Sequence, residues 1–204
     1  MNHKVNNVQG LYSSATNLYT RIVAGGDASA DYIIHNLHEG IENLKTNWKG
    51  ADAGVKINEV IKIHNEMVGV RNALAQLAVD SSSVAKNYRD IQNANGAGLE
   101  YLNVINIESK EILDPHEDNA DTIDINPAAE LGKTRIDSAN ADLETFIRNA
   151  TSILDEIMEN WTVGTGRDSA QSAFDEFASN VKKYKDTLTD TSNHITDALK
   201  NYTF

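Results

Sequence analysis

Apolar residues recur at alternating three- and four-residue spacing along Val60, Ile63, Met67, Val70, Leu74, Leu77, Ser81, Val84, Tyr88 and Ile91, with Ser81 the polar exception. That period puts all of them on one side of an α-helix. It predicts a helix of about 45–50 Å whose seam packs against other helices. A second stripe repeats the phasing through Phe174, Phe177, Val181, Tyr184, Leu188, Thr191, Ile195, Ala198 and Tyr202, each 114 positions after a member of the first. Helical periodicity alone makes such a match common, so the segments before the stripes decide the matter. Ile34, Leu37, Ile41, Leu44 and Trp48 map onto Ile147, Ala150, Leu154, Ile157 and Trp161 at an offset of 113. The offset changes inside one turn, where Trp48-Lys49-Gly50 becomes Trp161-Thr162-Val163-Gly164. Two helix–turn–helix units that differ by one inserted residue point to an internal duplication.

Each unit reads as helix, glycine-containing corner, helix, and a short corner sets its two helices antiparallel. Asn126-Pro127 reads as the cap and first position of the third helix. Asp168 reads as the cap of the fourth, with Gln171 completing a capping box. Val8, Leu11, Ala15, Leu18 and Ile22 keep helical spacing at the N-terminus, and Gly25-Gly26 predicts a kink or break after them. The predicted division is a first hairpin over 1–91, an acidic linker over 92–126 and a second hairpin over 127–204. Within the linker, Leu99, Leu102 and Ile105 fit a short helical turn, and 104–107 fits an extended stretch equally well. Its polarity predicts a mobile segment, little buried apart from a few of Leu99, Leu102 and Leu113, that proteases cut first between Pro115 and Ile125.

Composition narrows the function. The 204-residue chain has no cysteine, which excludes disulfides, thiol catalysis and zinc–thiolate sites. No run approaches the roughly 20 apolar residues of a membrane span, and residues 1–10 lack the apolar region of a cleaved signal peptide. The net charge of −12 is uneven. Residues 1–92 balance near zero, 93–126 carry about −7 and 127–204 about −5. Such a surface repels a phosphate backbone and argues against nucleic acid as a partner.

Hairpins of this length turning at Trp-x-Gly resemble the WXG family, the early-secreted-antigen-like proteins of bacterial type VII secretion. Trp48 and Gly50 carry the motif intact, and Trp161 and Gly164 carry it with Val163 inserted. The resemblance implies a small non-catalytic protein that pairs hairpins into a four-helix bundle and leaves the cell without a cleaved signal peptide. A tandem copy then looks like such a dimer fused into one chain. The family's export signal is a Tyr followed four positions later by Asp or Glu, just after the second helix. Here Tyr88, Tyr101 and Tyr184 are followed at that distance by Gln92, Ile105 and Leu188, and the chain stops two residues after Tyr202. The resemblance implies a secretion substrate, or a protein secreted together with a partner, that binds the secretion apparatus or a co-secreted effector. The alternatives are a cytosolic adaptor or targeting chaperone for a larger effector of the pathway, and an unrelated four-helix scaffold module. The expected location is outside the cell, or the cytoplasm before export.

The chemical candidates are thin. Trp48 and Trp161 fit corner packing and, compatibly, a recognition surface. His35 and His38 share a helix face with Glu39 and Glu42, but no third and fourth ligand follows at a recognisable spacing. Asp114, Glu117, Asp118, Asp121 and Asp124 lack the glycine and the closing Glu of a calcium loop. No phosphate loop or nucleophile motif is present, so no enzyme, cofactor, metal or small-molecule substrate is expected. The fold expected is all-α, with the two hairpins packed as an antiparallel four-helix bundle. About 35 linker residues reach up to about 115 Å, enough to join opposite poles and far more than neighbouring ends need. Trp48 and Trp161 are therefore expected at opposite ends.

Overall fold

The computed structural model describes residues 4–118 and 123–202, without the side chains of Thr165 and Tyr202. Asp121, one of the acidic candidates, and part of the expected cleavage window lie outside the described residues. The fold is all-α. Its helices are α1 (Val8–Asn17), continued by a π-helical turn (Leu18–Val23), then α2 (Ala30–Asn47), α3 (Ala51–Ala94), α4 (Ala129–Asn160) and α5 (Thr165–Tyr202). Among the described residues, four strands of two or three residues punctuate them: β1 (Lys4–Val5), β2 (Trp48–Lys49), β3 (Asp124–Ile125) and β4 (Trp161–Val163).

Both apolar stripes become seams. From Val60 to Val84 every member of the first is buried, Ser81 included, while Tyr88 is half-buried and Ile91 exposed. Phe174, Phe177, Tyr184, Leu188, Thr191, Ile195 and Ala198 are buried in the second. The N-terminal break falls where the glycine pair predicts it. The π-helical turn ends as the Ala24 N–H donates to the Tyr19 carbonyl at 2.8 Å. Gly25 passes so near the Arg21 carbonyl that a Cβ would stand 2.5 Å from its oxygen. Ser29, accepting from the Tyr32 N–H at 3.2 Å, then caps α2. The fourth long helix begins at Thr165, three residues before the expected Asp168 cap. Asp168 instead lies in its first turn, paired with Arg167, and Gln171 donates to Asp175 rather than closing a capping box.

Side-chain bonds fix the helix directions. α2 runs antiparallel to α4, with Asn43 bonded to Gly132 and Asn36 to Arg135. Gly40 and Gly132 let these two backbones close together, a Cβ on Gly40 falling 3.1 Å from the Gly132 carbonyl. α3 runs antiparallel to α5 through Lys56–Asp190 at 2.6 Å and Glu66–Tyr184. α4 and α5 meet through Ser192–Asp137 and Lys185–Glu144, and α1 meets α4 through Ser14–Glu156.

Residues 99–118 lie back along α3 as an extended strap, the extended one of the two forms the sequence left open, and without the detachment that their polarity predicts. Leu102 is buried, and Ile105, Ile107 and Leu113 pack against the core. The affinity is polar as much as apolar: Asn58, Asn65, Asn72 and Asn93 of α3 each bond a main-chain group of the strap. Hydropathy misses this, because an asparagine that binds a neighbouring backbone scores as solvent-facing.

Gly69 is exposed in the interior of α3, and a Cβ there would meet nothing within 4 Å. Gly69→Ala is expected to stabilise the protein by about 0.5–1 kcal/mol through helix propensity. Chemical denaturation of the variant checks this; a lower midpoint would mean that the helix needs Gly69 for another reason.

Candidate functional site

The turn residues singled out in the sequence form two separate sites. β2 pairs antiparallel with β3, placing Trp48 opposite Ile125 and Lys49 opposite Asp124. β4 pairs antiparallel with β1, placing Val163 opposite Lys4 and Trp161 opposite Val5. Since β3 immediately precedes α4 and Trp161 immediately follows it, the two tryptophans stand at opposite ends of that helix, about 48 Å apart along its axis. Both indoles are buried, Trp48 at 3% and Trp161 at 1% exposure, so neither offers its ring face to a partner.

The two glycines serve their turns for different reasons. Gly50 has φ 115° and ψ 166°, a conformation closed to side chains, and its N–H donates to Asp118 Oδ2 at 2.9 Å. Gly164 is required for space. The Trp161 indole folds over it, and a Cβ would sit 2.2 Å from Cζ2. Trp161 Nε1–H donates to the Val163 carbonyl at 2.6 Å, so Val163 supplies the acceptor that holds the ring there. Arg167 Nη1 donates to the Trp161 carbonyl at 2.7 Å and ties the turn to α5.

Between α3 and α5 lies a cleft of about 680 Å³, bordered by Glu59, Lys62, Glu66, Glu176 and Lys183 around Phe177 and Tyr184. The Tyr184 hydroxyl donates to Glu66. Burial, reinforced by the carboxylate that accepts this bond, holds the phenol well above its ordinary pKa and keeps it neutral. The cleft therefore mixes both charges around a neutral phenol, an arrangement suited to polar contact with a surface.

The histidine face separates. His35 is exposed, and His38 turns toward His64 of α3, with ring centroids 6.0 Å apart. Among the described residues no group of three His, Asp or Glu side chains could hold a metal ion. His64 is buried beside Asn65, and desolvation lowers its pKa, with His38 and Lys45 adding to the effect. Its folded pKa lies below the unfolded one, so the unfolded chain binds the proton more tightly. Stability contributed by neutral His64 is present above about pH 6.5 and is lost as pH falls toward the folded pKa. Melting temperatures of the wild type and His64→Asn between pH 7.5 and 5 test this. The wild type is expected to lose more on acidification, and parallel curves would contradict the assignment.

Among the described residues no helix is long and apolar enough to cross a membrane. No curated protein and no solved structure matches the chain. The model of the WXG100 family, described as proteins of 100 residues with WXG, matches residues 128–203. That segment is α4, the Trp161 turn and α5. The glycine packed beneath the buried Trp161 lies inside that segment, and over residues 128–203 the chain is similar to proteins of the WXG family.

Proposed function

We propose that this protein is a type VII secretion substrate or co-secreted partner that acts by helix-face binding to the secretion apparatus or an effector, without catalysis. The WXG100 match to the second hairpin carries this reading. The proposed body is an antiparallel four-helix bundle made of hairpins 1–91 and 127–204 joined by 92–126, a dimer of hairpins in one chain. The equivalence of the two poles supports it. At each pole the residue before the tryptophan accepts, through its carbonyl, from an asparagine N–H just ahead of a helix in the other half. Asn126 donates to Asn47 at 2.8 Å, and Asn6 donates to Asn160 at 2.9 Å. With both tryptophans committed to packing, binding falls to the exposed helix faces, including the α3–α5 cleft.

Fractionation of culture medium from strains with and without the secretion ATPase tests export. ATPase-dependent appearance in the medium is the expected result, and equal cytoplasmic retention in both strains would sink it. One observation favours a second reading, a cytosolic adaptor for a larger effector: Tyr88, Tyr101 and Tyr184 are followed four positions on by Gln92, Ile105 and Leu188, none of them acidic. Co-purification with such an effector, and no protein in the medium, would favour the adaptor.

A further inference from the structure

Asn58, Asn65 and Asn72 stand seven residues apart on one line of α3, and each makes the same pair of bonds to a single main-chain residue of the strap. The Oδ1 atoms accept from the N–H groups of His116, Leu113 and Lys110 at 2.8, 2.8 and 3.0 Å. The Nδ2 groups donate to the carbonyls of the same three residues at 2.9, 2.8 and 2.9 Å. Seven helical residues advance about 10.5 Å and three extended residues about 10 Å, so the clamps stay in step with a straight strand. None of the six bonds involves a strap side chain. Pro115, which has no N–H to give, falls between the clamped residues 113 and 116. Beyond the clamps, Ser82 Oγ accepts from the Ile105 N–H at 3.0 Å, and Arg71, itself ion-paired to Asp31, donates to the Glu108 carbonyl.

A helix face with main-chain clamps at matched spacing is a binding track for extended polypeptide, because it satisfies a strand's donors and acceptors without asking for a sequence. We propose that the Asn58–Asn65–Asn72 track is a docking site for an extended segment of a partner protein, and that residues 99–118 of this chain occupy it in cis. The occupant it fits has a free N–H at every third residue and an apolar side chain at the place of Leu113, which is half-buried on the core. The strap joins α3 through Gly96 and Gly98, at φ 87° and 61°, where the chain reverses to lie back on its own helix. As a tethered ligand it competes with any segment arriving in trans. This inference is independent of the secretion reading, since the track binds peptide whether or not the protein is exported.

The test uses the full chain with residues 99–118 replaced by a Gly/Ser segment of equal length, and a fluorescent synthetic peptide of sequence 99–118 as the probe. Saturable binding is expected, weakened roughly tenfold or more in the wild-type chain by the tethered competitor. Asn58→Leu, Asn65→Leu and Asn72→Leu together should abolish it, as should Leu113→Pro in the peptide, which removes one clamped N–H. Absence of binding to a folded Gly/Ser chain, or binding that the triple variant retains, would overturn the proposal. If the Gly/Ser chain does not fold, the wild-type chain is titrated with peptide to millimolar concentration. Asparagine-dependent binding then supports the track, and no binding overturns it.

Discussion

Gly164→Ala is expected to destabilise the protein by about 3–5 kcal/mol, because the new methyl occupies space already filled by a buried indole. The built Cβ falls 2.2 Å from Cζ2, 2.5 Å from Cε2 and 2.8 Å from Nε1 of Trp161. The ring has nowhere to go: it is 1% exposed and its Nε1–H is fixed on the Val163 carbonyl. Moving it out loses that bond, worth about 1 kcal/mol, and opens a cavity beneath β4. For a chain of this size the loss corresponds to roughly 10 °C or more in melting temperature. A melt of Gly164→Ala within a degree of wild type would show that the turn holds the indole by other means. Trp161→Ala should cost about as much, and the double variant little more than either alone, since both changes remove the same packing.

Trp48→Ala is expected to cost about 3–5 kcal/mol as well. The ring is 3% exposed within the cluster that includes Leu44, Ile57 and Ile125. The backbone pairing of β2 with β3 survives the substitution, so the loss is one of side-chain packing. Ile125, the residue paired with Trp48, ties this corner to the start of α4. The damage should therefore reach the second hairpin: Trp161 fluorescence and helical content should fall in a single transition. Two separate transitions, with the Trp161 signal melting as in the wild type, would mean that the halves unfold independently.

The paired stripes, the two corners and their glycines are legible in the sequence because helix period and turn chemistry are local. From Val60 to Val84, and again from Phe174 to Ala198, the three-and-four spacing marks the buried side of one helix with Val181 alone half-buried. Burial of Trp48 and Trp161 follows from their place at a corner on the same side as Leu44 and Leu154. The linker length permitted opposite poles without requiring them. Tertiary structure decided what depends on residues distant in the chain. The pairing of β2 with β3 and of β4 with β1 joins segments more than 70 residues apart, and two- or three-residue strands leave no pattern of their own. α5 starts at Thr165, ahead of Asp168, directly after a turn tied by the Trp161–Val163 bond and by Arg167, contacts that no local capping preference reveals. The strap reads as solvent-facing because its hold on α3 is made by asparagine amides and main-chain groups. Sequence determines that the helices form and which sides they bury, since those follow from neighbours within a turn; only the folded chain sets Asn58, Asn65 and Asn72 against an extended backbone, since hydrogen bonds between remote segments have no period to read.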